Sequence, residues 1–135
     1  MEGSVGELSK YRFETAVEAL DDSRMMFENG RYKNALNRGY YAIFHSIRAV
    51  NALDNYDSSK HSGVISFFNQ NYVKEGVFSK ELSKTIRLAS ESREKADYLD
   101  FYVASKEEAE KQLKRAEDFL RCIEIYLKDK GIIDG

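Results

Sequence analysis

The chain has 135 residues, of which 42% are hydrophobic and 33% charged, and its formal net charge is −2. This composition predicts a single folded domain over 1–135, with an ordered core from about residue 7 to about residue 130. The charge excludes the broad positive field of a non-specific nucleic-acid coat. Because no apolar run is long enough to cross a bilayer and residues 1–6 lack a secretory signal, we expect a cytoplasmic protein without a membrane-spanning segment.

The sequence has no residue pattern typical of a metal site or of an intrachain disulfide. Cys122 is the single cysteine, so we expect no intrachain disulfide and a free, partly buried thiol. Neither cysteines nor carboxylates stand at recognisable ligand spacing around the two histidines. We therefore predict no metal site and no cofactor.

The absence of proline and the many helix-forming residues predict an all-α fold. Apolar residues at helical spacing indicate a first helix from about Glu7 to Glu28, which the Asn29–Gly30 pair should end. The same periodicity predicts a second helix from about Tyr32 to Leu53. The short linker between the two favours an antiparallel hairpin.

A polar, turn-forming loop at residues 54–59 precedes a compact apolar group. We expect a third helix there, from about Lys60 to Val73, because helix fits the neighbouring segments better than strand. Ser79 can cap a fourth helix that runs into the charged segment Ser92–Tyr98. Residues 99–104 break the helical pattern.

The last helix has the clearest start signal in the chain. Ser105 and Glu108 have the spacing of a capping box, in which each side chain bonds a free backbone N–H at the helix start. The apolar residues that follow form a narrow seam, which predicts one close antiparallel partner, with the first helix as the natural candidate. The whole pattern predicts an up-and-down helical bundle of about five helices, and its last residues, Gly131–Gly135, should fray.

The second helix carries the residues best suited to chemistry. Arg38 and His45 are seven residues apart, which places them on one face about 10 Å apart along the axis, with Tyr41 and Arg48 on the same side. A fixed cation and a titratable imidazole could bind a phosphodiester and transfer its protons. The alternative is structural: Arg38 pairs with an acid across the bundle, and His45 is a core or interface histidine.

Two further groups have open interpretations. Lys60 and His61 open the third helix, where they could meet a phosphate, although a helix start in which His61 caps or packs is the simpler interpretation. Arg93 and Asp97 are spaced to pair on the fourth helix. That pair could reach the Arg38 face or simply belong to a solvated surface.

Four segments together resemble the HEPN family of small all-helical proteins. They are Asn37–His45, Lys60–Ile65, Arg93–Tyr98 and Ser105–Ala109, and the resemblance covers most of the chain, from about Ala16 to Leu127. Many members are metal-independent endoribonucleases that use an arginine, four to six residues, then a histidine. Arg38 and His45 match the longest of these spacings, while Gly39 stands where the family often has a polar residue.

The resemblance implies RNA cleavage with Arg38 and His45 as catalytic residues. It also implies a homodimer in which two such helices form one composite cleft, and a toxin–antitoxin pair with a nucleotidyltransferase as antitoxin. We expect the residues that contact the RNA to be Tyr41, Arg48, Lys60, His61 and Arg93. The alternative is a non-catalytic HEPN module that binds a nucleotide or docks a nucleotidyltransferase partner.

Overall fold

The computed structural model describes the backbone of residues 2–134 and the side chains of residues 5–134. Within that range the chain forms five α-helices and no strand, which confirms the all-α prediction. The helices are α1 (Glu2–Glu28), α2 (Tyr32–Ala52), α3 (His61–Phe68), α4 (Glu81–Tyr98) and α5 (Lys106–Asp129), and a π-helical turn, Asn69–Val73, follows α3 directly. None of these helices is long and apolar enough to cross a membrane.

Helices α1 and α2 form the expected antiparallel hairpin. The Ser23 hydroxyl donates to the carbonyl oxygen of Ala35 at 2.8 Å, and the Ser9 hydroxyl donates to that of Ala49 at 2.6 Å, so the two helices are tied near both ends. Gly30 makes the turn with a φ of 73°, in the left-handed region that glycine reaches without a steric cost.

Helix α5 packs against three helices rather than one. It runs antiparallel to α1, where Arg24 forms an ion pair with Glu117 at 3.0 Å, but it packs more extensively on α2. The prediction of a single partner was wrong because Gln112 extends the buried face. This polar side chain is fully buried and its amide donates to the carbonyl oxygens of Leu36 and Ala89, at 3.1 and 3.0 Å.

Several element boundaries differ from those expected. Helix α1 begins at Glu2, because hydrogen bonding along the helix continues through its weakly helix-forming first residues. The third helix is split, since its last turn is π-helical, with the amide of Lys74 donating to the carbonyl oxygen of Asn69. The capping box of Ser105 and Glu108 is formed as predicted.

The C-terminal residues pack more closely than expected. The amide of Ile132 donates to the carbonyl oxygen of Leu127 at 2.9 Å, and Gly131 has a φ of 74°, which together close α5 with a Schellman motif. Ile132 and Ile133 then pack against the core, so the described part of the tail does not fray, while Gly135 lies outside the described residues. Cys122 is exposed rather than partly buried, because it lies on the outer face of α5.

Helix α2 is the centre of the bundle. It packs against α1, α3, α4 and α5, and thirteen of its 21 residues are buried. The largest fully buried side chains of the molecule include several from this helix, among them Tyr40, Leu36, Ile43 and Ile47. Because neighbours surround most of α2, only one narrow side of it reaches the surface.

Candidate functional site

A row of half-buried polar residues follows that open side of α2. Arg38, Tyr41, His45 and Arg48 are spaced by three, four and three residues, and most of the residues between them are buried. This spacing keeps one face of a helix over about three turns. We call these four residues the α2 polar strip.

Tyr41 lies at the centre of the site. The guanidinium carbon of Arg38 is 5.2 Å from the Tyr41 ring centroid, and the His45 ring centroid is 6.0 Å from it. His61 of α3 approaches the same ring at 5.6 Å between centroids, and the guanidinium carbon of Arg93 of α4 approaches it at 5.8 Å. The fold thus brings together five of the seven residues predicted for the site, from three different helices.

Tyr40 connects α3 and α4 beneath this site. Its hydroxyl is hydrogen-bonded to Nδ1 of His61 at 3.1 Å, and the guanidinium of Arg93 lies over its ring at 4.6 Å. Burial raises the pKa of Tyr40 to about 12, so the hydroxyl remains protonated. Tyr40 was not among the residues predicted for the site. A tyrosine at an apolar helix position was the available signal, because a buried phenol requires a polar partner.

Neither Arg38 nor His45 is paired within the described residues. No carboxylate there lies within ion-pair distance of Arg38, and its Nε is buried without a hydrogen-bond partner. Nδ1 of His45 is buried and unpartnered in the same way. Unsatisfied buried polar atoms are rare and costly, and they call for an explanation. The structural alternative, an Arg38 held by an acid across the bundle, is therefore wrong for this part of the chain.

The surroundings favour the neutral form of both histidines. Burial, together with the positive charges of Arg48 and Arg38, lowers the pKa of His45 to about 4. The pKa of His61 is also lowered, by burial and by the charges of Arg93 and Arg48. Both rings are therefore neutral near pH 7, and the site has more positive charge than its own groups balance.

The far end of the strip is different. Nη2 of Arg48 lies 3.1 Å from Oδ2 of Asp57, and Nη2 of Arg12 lies 3.2 Å from the same oxygen. Arg12 also donates to the carbonyl oxygen of Arg48 at 3.3 Å. Arg48 is thus tied to a structural ion pair. Arg12 and Asp57 could not be predicted as partners of Arg48, because no local sequence pattern links either of them to it.

Arg93 is the most buried charged residue, at 8% exposure. Its Nη1 lies 3.5 Å from Oδ2 of Asp97. The same oxygen accepts a hydrogen bond from the side-chain amide of Asn37 at 3.0 Å. The predicted pair is therefore formed and also reaches α2. Nε of Arg93 remains buried without a partner among the described residues.

Lys60 is not part of this contact network. It is exposed just before α3, and no hydrogen bond or ion pair of the described residues involves its ammonium group. Its neighbour His61 packs against Phe44, with 4.1 Å between the ring centroids and an angle of 33° between the ring planes, and also forms a hydrogen bond with Tyr40. Of the two residues predicted here, His61 therefore belongs to the site, whereas Lys60 is exposed outside it.

Gly39 belongs to the opposite side of α2, which faces α5. A Cβ at this position would lie 2.8 Å from Cγ of Gln112, closer than real Cβ contacts allow. The glycine therefore permits α2 and α5 to approach each other, and it takes no part in the polar strip.

Among the described residues no group of three or more His, Cys, Asp or Glu is placed to bind a metal.

Comparison with known proteins places this arrangement in a family. The model of the HEPN domain matches residues 9–126. A UPF0332 protein of Thermotoga maritima is 35% identical over 123 residues, which cover 91% of this chain and 93% of that protein. A protein of Methanocaldococcus jannaschii named "Putative toxin MJ0605" is 38% identical over 116 residues, or 86% of both chains.

A second protein of the same archaeon, named "Putative toxin MJ0142", is 33% identical over 129 residues, covering 96% of this chain and 87% of that one. The crystal structure of TT1696 from Thermus thermophilus has the same fold, with a TM-score of 0.72 over 87% of this chain and 97% of that one, at 16% identity. Since the family model matches most of the sequence and these relatives align along nearly their whole length, the chain belongs to the HEPN family.

Proposed function

We propose that this protein is a metal-independent endoribonuclease whose catalytic residues are Arg38 and His45. The observation that carries the proposal is the unpaired state of both side chains at one half-buried site. Three further groups, His61, Arg93 and Tyr41, converge on the same place from three helices. An unbalanced positive site beside a neutral imidazole suits a phosphodiester substrate.

The proposed reaction needs no metal ion. A neutral His45 accepts the proton of the ribose 2′-hydroxyl, and the 2′-oxygen attacks the adjacent phosphorus. The bond from phosphorus to the 5′-oxygen breaks, and that oxygen receives a proton from water or from a second, protonated imidazole, which leaves a 2′,3′-cyclic phosphate and a 5′-hydroxyl. Arg38 donates to the phosphate oxygens and stabilises the charge that develops on them.

Substrate binding would itself raise the pKa of His45. The lowered pKa of His45 arises first from burial and then from the charges of Arg48 and Arg38. A bound phosphate adds negative charge next to the ring and offsets those charges, so the pKa of His45 rises toward its ordinary value. The ring then becomes a stronger base where the proton has to be accepted.

We further propose that the active unit is a homodimer with a composite cleft. Support comes from the end of α4 and the α4–α5 loop, which expose four apolar side chains: Tyr98, Leu99, Phe101 and Val103. The Phe101 ring is fully exposed on a residue with a φ of 60°, and the Tyr98 ring lies 5.8 Å from the Arg93 guanidinium carbon. Exposed apolar side chains favour association, and two copies would supply two imidazoles. One accepts the proton of the 2′-hydroxyl, and the other, once protonated beside the bound phosphate, donates one.

The biological role we propose is that of a toxin paired with a nucleotidyltransferase antitoxin. The support is the naming of the two M. jannaschii relatives as "Putative toxin". An RNA-cleaving toxin would require such a neutralising partner in the same cell. Co-expression with a neighbouring nucleotidyltransferase gene should then relieve growth inhibition.

The nuclease proposal is tested with purified protein in EDTA. Wild type should cleave single-stranded RNA or tRNA to products ending in a 2′,3′-cyclic phosphate. His45→Ala should lower the rate by about 10²–10⁴-fold, the usual contribution of a general acid or base. The melting temperature of the variant should stay close to that of wild type, because Nδ1 of His45 makes no hydrogen bond within the described residues. RNA left intact by the wild-type dimer would refute the proposal.

The rival function is a non-catalytic module that binds a nucleotide or docks the nucleotidyltransferase. The exposed apolar loop is the observation in its favour, since the same surface would suit a different protein partner. In that case His45→Ala would leave partner binding unchanged and no cleavage would be seen with either protein. Size-exclusion chromatography with and without the transferase separates the two functions.

A further inference from the structure

A groove runs between α3 and α4 and opens at the site. It has a volume of about 400 Å³, and Tyr40, His61 and Arg93 line it at the end that the site shares. This volume lies within the roughly 300–1,000 Å³ typical of small-molecule sites. We call it the α3–α4 groove. None of the steps of cleavage described above uses the rest of its length.

The chemistry of the groove changes along that length. Its floor is apolar, with Ile65 and Ile86, and its walls are rich in hydroxyl groups, represented by Ser66 and Ser83. The Ser83 hydroxyl donates to Oδ1 of Asn69 at 2.6 Å, so the amide end of Asn69 is fixed at the wall. A flat apolar floor between hydrogen-bonding walls suits the base and ribose of a nucleoside.

Asn69 reaches the wall through the π-helical turn. A π turn contains more residues per turn than an α turn and is found frequently at functional sites. Here the turn begins at Asn69 itself, while Phe68 just before it is fully buried and Tyr72 stays buried within the turn. The wider turn thus lets the chain keep both aromatic rings in the core and still direct Asn69 toward α4.

Away from the site, the charged side chains that line the groove lie on α4 and have polar partners. Arg87 and Glu91 form an ion pair at 3.6 Å on α4, and Oε1 of Glu94 accepts a hydrogen bond from the Ser90 hydroxyl at 3.4 Å. At the shared end lies a buried donor that has no partner among the described residues, the Nε of Arg93. An uncharged ligand group therefore fits the length of the groove, and a phosphate fits its mouth.

We propose that the α3–α4 groove binds the nucleoside of the RNA nucleotide that adjoins the cleaved phosphate. This inference rests on the proposed ribonuclease function and deepens it by naming how the substrate is selected. Arg93 binds the phosphate at the mouth, the base lies over Ile65 and Ile86, and the wall hydroxyls with Asn69 bond its polar edges. The groove thereby determines which base stands next to the cut.

The direct test is binding of the four nucleoside 3′-monophosphates to isotope-labelled wild-type protein, followed by NMR. At least one of them should shift the amide signals of α3 and α4 that line the groove. Ser66→Trp places a large ring over the groove from its exposed rim and should weaken that binding by about tenfold or more, the scale of losing one bound base. Gln70→Trp adds the same ring one position beyond Asn69, outside the groove, and should leave the binding unchanged.

The outcomes separate this inference from the nuclease proposal. Shifts confined to other surfaces, or equal binding by wild type and Ser66→Trp, would overturn the groove assignment. If RNA is cleaved and Ser66→Trp changes the base preferred at the cleavage site while Gln70→Trp does not, both proposals stand. If nucleotides bind in the groove but no RNA is cut, the nuclease proposal fails while the site remains. Wild-type shifts are decisive even if a variant does not fold.

Discussion

Two arginines of the same helix face, Arg38 and Arg48, have opposite environments. Arg48 shares Asp57 with Arg12, at contact distances of 3.1 and 3.2 Å. Arg38 has no acid within ion-pair distance among the described residues and has a buried Nε without a partner. Sequence spacing alone treats the two as equivalent members of one polar row. Their partners divide the row into an end satisfied by the protein and an end open to a ligand.

The difference shows that the partners of a polar residue near a candidate site indicate whether that residue can bind a ligand. An arginine with a bound carboxylate contributes to the fold, and using it for substrate requires that the pair be broken first. An arginine stacked on Tyr41 and otherwise unpaired is held in place without losing its donors. The two ends of the strip carry the same charge and differ in whether the arginine has free donors for a ligand.

The largest difference between the two ends is expected in the rate of RNA cleavage when either arginine is replaced by lysine. Arg38→Lys should lower the rate of RNA cleavage by about 10²-fold or more, because lysine cannot present the planar fork that binds two phosphate oxygens. Arg48→Lys should lower it by less than about tenfold, since lysine keeps the charge that meets Asp57. Initial cleavage rates in EDTA measure both. Equal losses in the two variants would remove the distinction between the ends.

A smaller effect is expected at the satisfied end, and it concerns stability. Asp57→Asn leaves Arg12 and Arg48 facing each other without a counter-charge and should lower the free energy of unfolding by about 1–2 kcal/mol. Urea denaturation followed by circular dichroism measures it. Asp22→Asn, at an exposed position on α1, is the matched control and should change little. Freed from Asp57, Arg48 should also bind RNA more tightly, so unchanged stability and unchanged binding together would contradict the role assigned to the pair.

His45 should also make the free energy of unfolding depend on pH. Its pKa is lowered from 6.5 in the ordinary state to about 4 in the fold, so the unfolded chain takes up a proton between these values while the folded chain does not. Stability should therefore fall as the pH drops from about 6.5 to about 4 and should be independent of this group outside that window. The difference between wild type and His45→Gln, measured by denaturation at several pH values, isolates the contribution. A flat difference would mean that burial and the neighbouring arginines together do not lower the pKa of His45.

Local signals explain how much of the fold was predictable. The Gly30 turn and the box of Ser105 and Glu108 depend on neighbours within a few residues, and the structure has both as expected. The start of α1 and the π turn escaped prediction because neither has a strong local signal. The partners of α5 escaped it because a polar residue, Gln112, completes the packing face once its amide is bonded.

The candidate site was predictable only along one helix. Helical spacing places Arg38, Tyr41 and His45 together, and the structure has them in contact through Tyr41. The hydrogen bond of Tyr40 to His61 and the pairing of Arg48 with Asp57 depend on how helices and loops meet, which no local pattern encodes. Gly39 shows the same limit: its departure from the family pattern was visible, but its reason is the close approach of α5.

The π-helical turn makes the α3–α4 groove sensitive to chain length. Residues 69–73 accommodate about one residue more than an α turn would over the same rise, so the groove wall depends on how many residues are present as well as on which ones. Losing a single residue here would let the turn relax to α geometry and swing Asn69 away from Ser83, with the aromatic core intact. Relatives that differ by one residue at this point would then have the same α2 polar strip beside a differently shaped groove, which would change the ligands that the groove admits.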